Sequence, residues 1–415
     1  MKKILSLVLA LAMVLAATSA LADLVICQNK VEITTQMEAY AKLYTEKTGV
    51  PVKVITGGGS SDYNTVLKAE MQSGREPDIF VIEGLSGYEL WKDRIADQTG
   101  AEWTKTCTAP FVVDGKTLGF PVAQEGYGLA YNKDILDKAG IDPATLTNRP
   151  ALQAAFEKLD SMKAELGLDM VVAMVAGTTT NMTWVTGLHN FNVYLAGGLE
   201  RGDNTIIDKV LAGEVDADRF HQYCQYVALL FKYSDPDMLL TGTQDSQLAA
   251  FVNGKAAFYH QGNWMDPTLV GMNPQFEIAY APHAFLDTDT DGILADAASW
   301  YVVNEKGNKD EAIAYLNALC GTEEGANYMV KEAGMIPAFS NIVGEATTPL
   351  TKSVVEWAAA GKTYSWQQYK LWDGFGMGTL GPIYELLAMG PDNGGIDVDT
   401  FEALMIDAIA TRAAQ

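Results

Sequence analysis

Short apolar runs of strand length alternate with helix-length amphipathic stretches in the chain after residue 22. Leu24–Cys27, Val50–Ile55 and Ile79–Ile82 are rich in apolar and β-branched residues and predict three strands. Between the first two, apolar side chains recur at the spacing of one helix face; they are Met37, Tyr40, Ala41 and Tyr44. The strand–helix–strand–helix–strand order predicts a parallel sheet with right-handed crossovers.

Polar residues stand directly after two of these strands. Asn29 follows the first strand and Glu83 follows the third. Because open parallel sheets bind ligands at the carboxyl ends of their strands, we expect both side chains to face a binding site. A solvated loop carboxylate is the alternative interpretation of Glu83.

A second α/β region follows. Lys116–Leu136 carries two extended runs, and Glu125 lies at the polar pause between them, where a carboxylate is costly without partners. Further strands are predicted at Met170–Ala176, Lys255–His260, Phe276–Ala281 and Ser299–Val303. Residues 23–415 are too many for one simple core, so we predict an α/β fold of two lobes that the chain crosses more than once.

The first 22 residues read as a secretory signal peptide. Lys2 and Lys3 precede the apolar stretch Ile4–Ala17, and residues 20–22 form a small-x-small cleavage site. We therefore expect a periplasmic or extracellular protein that begins near residue 23. A lipid anchor on Cys27 is not expected, because the bulky Ile26 precedes it.

Charge and cysteine content limit the partners and the covalent framework. Acidic residues number 52 against 29 basic ones, giving a formal net charge of −23, which argues against nucleic acid as a partner. Four cysteines are too few for a disulfide framework. A single Cys27–Cys107 bridge and buried free thiols are both consistent with the sequence.

One segment resembles half of a calcium loop. Asp287, Asp289 and Asp291 precede Gly292 as in the first half of an EF-hand, but Ala298 occupies the position of the bidentate glutamate. We expect a solvated acidic loop and no metal. No catalytic motif or histidine pair with metal-ligand spacing is present in the sequence, so we expect neither a cofactor nor an enzyme.

Five segments in order resemble the extracellular solute-binding proteins (family 1) of carbohydrate ABC transporters, which include the maltodextrin-binding proteins. They are Lys42–Val54, Ser73–Glu83, Gly119–Ile141, Phe251–Trp264 and Ser299–Cys320. The resemblance implies the two-lobed type II periplasmic-binding-protein fold, with a ligand cleft between hinge-linked lobes. It also implies a monomer that captures a sugar by closing and delivers it to the membrane permease subunits of an importer.

The resemblance further implies lobe boundaries. The N-lobe would comprise residues 23–124 plus 285–336, and the C-lobe residues 125–284 plus 337–415. The hinge crossings would lie near residues 124–127, 280–284 and 335–340. Two departures from the family are the missing lipid-attachment motif and Cys27, which stands where maltodextrin binders carry a tryptophan.

Sugars present apolar C–H faces, which aromatic rings cover, and hydroxyls, which carboxylates and amides bind. By this chemistry and the resemblance, the candidate ligand-binding residues are Asn29, Glu83, Glu125, Tyr127, Trp184, Asn263, Trp264, Trp300 and Trp372. Trp264 matches a stacking tryptophan of the family, and Glu125 matches a ligand-contacting glutamate. The alternatives are core packing for the aromatic residues, a hinge ion pair for Glu125 and a local turn for Asn263.

Two other functional classes remain open from the sequence. A secreted carbohydrate-active enzyme would also be acidic, exported and rich in tryptophan, with paired carboxylates. A binding protein for a polyamine, a metal or phosphate would share the fold. Turnover of oligosaccharides would identify the first class, and sugar binding that survives a chelator would exclude a metal binder.

Overall fold

The computed structural model describes residues 23–58, 62–342 and 344–415. The predicted signal peptide, residues 1–22, lies outside the described residues. Within the described ranges, no helix is both long and apolar enough to cross a bilayer.

Two mixed sheets organise the described chain. The strands of the first sheet are β1 (Leu24–Gln28), β2 (Val52–Thr56), β3 (Ile79–Ile82), β4 (Phe111–Val113), β5 (Lys116–Pro121) and β11 (Trp300–Val303). Those of the second are β6 (Gln124–Asn132), β7 (Met170–Ala173), β8 (Ala256–Gly262), β9 (Ile278–Ala281), β10 (Ile293–Ala297) and β12 (Thr363–Tyr364). The predicted two-lobed α/β architecture is confirmed.

Helices cover both sheets. In the first part of the chain they are α1 (Thr34–Thr48), α2 (Tyr63–Gln72), α3 (Gly84–Trp91), α4 (Lys133–Ala139), α5 (Arg149–Ser161), α6 (Lys163–Leu166), α7 (Phe191–Ala196) and α8 (Thr205–Leu211). The remainder are α9 (Ala217–Lys232), α10 (Pro236–Thr241), α11 (Gln244–Val252), α12 (Asp266–Gly271), α13 (Lys309–Gly321), α14 (Glu323–Asn327), α15 (Pro349–Ala359), α16 (Gly381–Met389) and α17 (Val398–Ala413).

The first sheet has the strand order β2-β1-β3-β11-β5-β4. Strand β1 is parallel to both β2 and β3, as the sequence predicts, whereas β11 is antiparallel to β3 and β5. Side chains alternate between two buried clusters: Ile26 and Val81 pack on one face, and Cys27 and Phe80 on the other. The sheet is therefore covered on both faces, which explains its nearly continuous apolar strands.

The second sheet has the order β12-β10-β6-β8-β7, and β9 also pairs with β6. We expected residues 285–336 in the N-lobe, but β10 is hydrogen-bonded along β6, with Asp296 opposite Glu125. Ile293 and Leu294 also belong to the core of the second sheet. The second crossing accordingly lies near residues 297–299 and not at 280–284, because this strand stays in the second sheet before the chain returns to β11.

Three chain segments lie side by side at the junction of the lobes. The main-chain nitrogen of Val122 donates to the oxygen of Ser299 (3.0 Å), and that of Gln124 donates to the oxygen of Ile336 (2.8 Å). These contacts place the first segment between the other two.

The third crossing lies later than the resemblance implies. Residues 337–342 were expected in the C-lobe, but Phe339 packs in a core cluster of the first sheet, Ile342 packs against that cluster, and the main-chain nitrogen of Ser340 donates to the oxygen of Thr106 (2.9 Å). Leu350 packs in the core of the second sheet. The third crossing therefore lies beyond residue 342 and not at 335–340, whereas the boundary near residue 124 stays as predicted.

The four cysteines are free thiols. Cys27 packs in the cluster on one face of the first sheet, whereas Cys107 packs against the cluster on the other face. The Cys27–Cys107 bridge is therefore wrong. Burial raises the pKa of the Cys27 thiol to about 12 and that of Cys107 to about 11, so both stay protonated at neutral pH.

The aspartates of the 287–292 loop contact separate partners. Asp287 pairs with Arg149 (2.5 Å) and Asp291 with Lys362 (2.8 Å). Asp289 accepts hydrogen bonds from the side chains at positions 147 and 148. Within the described residues, no group of acidic, histidine or cysteine side chains is arranged to hold a metal ion.

Candidate functional site

A cavity of about 220 Å³ lies between the two sheets. Residues that follow β1 and β3 line one side, and residues that follow β8 line the other. Six of the nine candidate residues line it: Asn29, Glu83, Glu125, Trp184, Trp264 and Trp372. Asn29, Glu83 and Trp264, which follow strands, are therefore brought into one cleft with the other three.

Trp264 forms the centre of an aromatic wall. A Cβ added at Gly262 would lie only 2.0–2.4 Å from atoms of the Trp264 ring, so glycine is what lets the indole fold back over the end of β8. Its Nε1 donates to Oε1 of Gln261 (3.1 Å), and the residue is 9% exposed. The ring is thereby fixed in the wall of the cavity, which it lines.

Three further rings of the cavity lining lie around Trp264. The ring centroid of His189 lies 4.8 Å away, that of Trp366 6.2 Å and that of Trp184 6.3 Å. His189 and Trp366 also line the cavity, and sequence analysis missed both. Trp366 lies in a segment without helical or strand periodicity, so its aromatic character was the only available signal.

Two π-helical segments shape this wall: Val185–Asn190, which follows Trp184, and Phe375–Leu380. They pack against each other through Gly187 and Gly376, since a Cβ at Gly187 would lie 1.9 Å from the main-chain oxygen of Gly376. Short π-helical turns often occur at functional sites. Here the two segments present Leu188, His189 and Met377 to the cavity.

Lys30 is the centre of the polar side of the cleft. Its Nζ lies 2.5 Å from Oε1 of Glu125 and 4.0 Å from Oε1 of Glu32. Asn29 Nδ2 donates to Oε1 of Glu83 (2.8 Å). Glu125 was expected either to contact the ligand or to form an ion pair at the hinge. It lines the cleft and also forms an ion pair, with Lys30. Sequence analysis missed Lys30 and Glu32.

The close packing of these charges shifts their pKa values. Burial by itself would lower the pKa of Lys30, but Glu125 and Glu32 together with Glu83 raise it above its ordinary value. Burial raises the pKa of Glu32 to about 7, although Lys30 opposes the shift. Lys30 is therefore charged at neutral pH, whereas Glu32 exchanges its proton near pH 7.

Asn263 and Tyr127 were expected in the cleft but lie behind its wall. Asn263 Oδ1 accepts from the main-chain nitrogen of Gly126 (2.8 Å), and its Nδ2 donates to Thr351 (3.2 Å). Tyr127 is fully buried, and its ring stacks on His189 at 4.9 Å. These two residues support the crossing and the aromatic wall, because the neighbouring chain segments already use their polar groups.

Trp300 was also expected to face the cleft, but it packs in the core of the first sheet. It is 5% exposed, its Nε1 donates to the oxygen of Ala109 (2.9 Å), and its ring lies 5.2 Å from that of Phe111. Its ring also contacts Tyr369 edge-on at 5.5 Å. Tyr369 lines the cavity and lies beside Gly84 at the start of α3, so it bridges the two sides of the cleft.

Comparisons with known proteins agree with this architecture. Residues 39–355 match the family model described as bacterial extracellular solute-binding protein. An uncharacterized ABC transporter extracellular-binding protein of Pyrococcus horikoshii is 24% identical over 345 residues, covering 79% of this chain and 73% of that protein.

Solved structures share the fold at low sequence identity. A chitin oligosaccharide binding protein aligns with a TM-score of 0.72 and 19% identity, covering 94% of this chain and 99% of that one. A solute-binding protein in complex with raffinose aligns with a TM-score of 0.70 and 18% identity, covering 94% and 100%. The resemblance seen in the sequence motifs is confirmed, since the family model spans most of the chain. This chain belongs to the bacterial extracellular solute-binding protein family.

Proposed function

We propose that this protein captures a sugar or oligosaccharide in the cleft and delivers it to the permease subunits of an ABC importer. The observation that carries the proposal is the pairing of two surfaces in one cavity. Trp264, Trp184 and Trp366 offer aromatic faces, and Glu83 with Asn29 offers hydrogen-bonding groups opposite them. A sugar ring requires both, because its C–H faces pack on aromatic rings and its hydroxyls bind carboxylates and amides.

The mechanism is closure without chemistry on the ligand. The crossings near residues 124 and 297–299, which lie side by side, allow the lobes to bend towards each other around a bound solute. A sugar that contacts both sides stabilises the closed form by its differential affinity for that form. The permease then distinguishes loaded from empty protein by the relative position of the two lobes.

The cellular setting is part of the same proposal. The protein acts as an exported monomer, periplasmic or extracellular. The extracellular family to which it belongs supports the location. The first ligands to test come from two solved structures that share its fold, a chitin oligosaccharide binding protein and a solute-binding protein in complex with raffinose.

A thermal-shift screen with neutral saccharides tests the proposal, because a ligand that binds only the folded state raises the melting temperature. Spermidine, phosphate and a chelator belong in the same screen. A saccharide should raise the melting temperature and bind stoichiometrically by calorimetry without turnover. Product formation, or stabilisation by the non-sugar solutes alone, would refute sugar capture.

The aromatic wall provides the matched variant test. Trp264→Ala should weaken binding of the best saccharide by about 2 kcal/mol or more, the cost typical of a buried tryptophan anchor. Trp357→Ala is the control, because Trp357 packs on the same lobe outside the cavity and donates to the oxygen of Tyr280. Equal affinity of the two variants would show that Trp264 is not the platform.

A further inference from the structure

The charged groups of the cleft are strongly unbalanced. Among the described residues, the charged side chains that line the cavity are Lys30, Glu32, Asp62, Glu83, Glu125 and Asp373. Lys30 is thus the one cationic lysine or arginine of this lining, against five carboxylates. Since His189 has its pKa lowered well below its ordinary value by burial, that ring adds no positive charge at neutral pH.

Lys30 occupies a specific position within this set. Its Nζ pairs with Glu125 at 2.5 Å, lies 4.0 Å from Glu32 and stands 5.8 Å from the ring centroid of Trp264. The side chains of Lys30, Glu32 and Glu125 are only 15%, 7% and 7% exposed. Little solvent is available to screen these charges, so their interaction is stronger than that of a surface ion pair.

A cation over a tryptophan ring and beside a carboxylate is also how a protonated amine would bind in such a cleft. The protein already fills that position with its own ammonium group. We propose that Lys30 determines the charge selectivity of the cleft, so that it accepts a neutral saccharide and rejects one that carries a protonated amine. This inference rests on the proposed sugar-binding function.

Two physical effects produce this selectivity. The Lys30 ammonium excludes a second cation from the space between Trp264 and Glu125 by occupancy and by like-charge repulsion. It also neutralises one carboxylate, which lowers the attraction of the acidic lining for amines in general. Without Lys30, the same residues would form an unfilled cation site made of the Trp264 ring and the nearby Glu125 carboxylate.

The test compares neutral and amine-bearing saccharides on the full protein and on Lys30→Met, which keeps the aliphatic length of the side chain. The neutral ligands are raffinose and triacetylchitotriose. The charged ligand is chitotriose in its deacetylated form, the glucosamine trimer, whose amines are protonated in slightly acidic buffer. In the parent protein a neutral saccharide should bind more tightly than chitotriose. In Lys30→Met the affinity ratio should shift towards chitotriose by about ten-fold or more.

Three further variants separate charge from packing. Lys133→Met removes a surface ion pair with Asp137 (2.6 Å) in α4 and changes the net charge equally, so it should leave the ratio unchanged. Lys30→Arg keeps the charge and should keep the preference for neutral ligands. Lys30→Met combined with Glu125→Gln removes the carboxylate that pairs with Lys30 (2.5 Å) and should move the ratio back towards that of the parent.

The outcomes distinguish the inference from the function on which it rests. An unchanged ratio in Lys30→Met, with neutral saccharide still bound by the parent protein, would overturn the role of Lys30 alone. Preference of the parent protein for chitotriose would also overturn it while leaving sugar binding intact. Absence of binding to every saccharide would overturn the proposed function and the inference together.

Discussion

The contact between Gly84 and Tyr369 predicts how closure of the cleft can be blocked. Gly84 begins α3 on the first lobe, and Tyr369 comes from the segment that follows β12 on the second. A Cβ built on Gly84 would lie 2.4 Å from the Cβ of Tyr369 and 2.6 Å from the nearest ring atom. Gly84→Ala therefore places a methyl group where the two lobes meet.

The size of the effect follows from these distances. Carbon atoms in contact prefer a separation of about 3.5–4.0 Å, so the two segments must move apart by about 1 Å. Such overpacking typically costs about 1–3 kcal/mol. Because the clash exists only when the lobes meet, about 2 kcal/mol is lost from the closed form, equivalent to about thirty-fold weaker ligand binding.

Backbone strain is a separate effect that a control removes. Gly84 has φ +71°, which costs an alanine about 1–2 kcal/mol in the open and closed forms alike. That strain lowers stability but leaves the closure equilibrium unchanged. Gly49→Ala is the matched control, because Gly49 has φ +78° and a Cβ there would meet no atom within 4 Å.

Calorimetry and solution X-ray scattering measure the two consequences. Gly84→Ala should bind the best saccharide more weakly than Gly49→Ala, and at saturating ligand its radius of gyration should stay larger. The reasoning is refuted if the two variants bind with equal affinity and compact to the same radius. The contact with Tyr369 would then persist without limiting closure.

Three other outcomes are expected. Asn263→Ala should lower the free energy of unfolding in urea by about 1–3 kcal/mol, because the buried nitrogen of Gly126 loses its acceptor; an unchanged value would show that water replaces it. Burial raises the pKa of Glu32 from 4.5 to about 7, so the folded state holds more protons in that range and stability falls as the pH rises through it; thermal melts of Glu32→Gln should lack this part of the decline. Dithiothreitol should leave the melting temperature unchanged, and the denatured protein should titrate as four thiols.

The strands were predictable where burial is continuous. Ile79–Ile82 has the predicted bounds, because helices cover both faces of the first sheet and leave no polar position within that strand. Gly49 ends α1 in the left-handed conformation, as a glycine after a helical pattern indicates. Which sheet a strand joins was harder to predict. The apolar residues of β10 would fit either sheet, and only the pairing of β10 with β6 assigns it to the second.

The site was predictable where a strand end identifies it. Asn29, Glu83 and Trp264 follow strands directly, and the sheet topology brings them to the cleft. Trp300 begins a strand too, but which face its side chain takes depends on register with β3 and β5. The importance of Lys30 arises from Glu125, which is distant in the sequence, so no local pattern could indicate it.

The position of β11 in the first sheet has a consequence for biosynthesis. This strand lies between β3 and β5, yet it is separated from both in the sequence by most of the second lobe. A chain growing from its N-terminus holds two incomplete half-sheets with open inner edges until Val303 has been made. Completion of the first lobe therefore waits for long-range pairing, which is intrinsically slow. Until then the open edges of β3 and β5 remain free to pair with other strands.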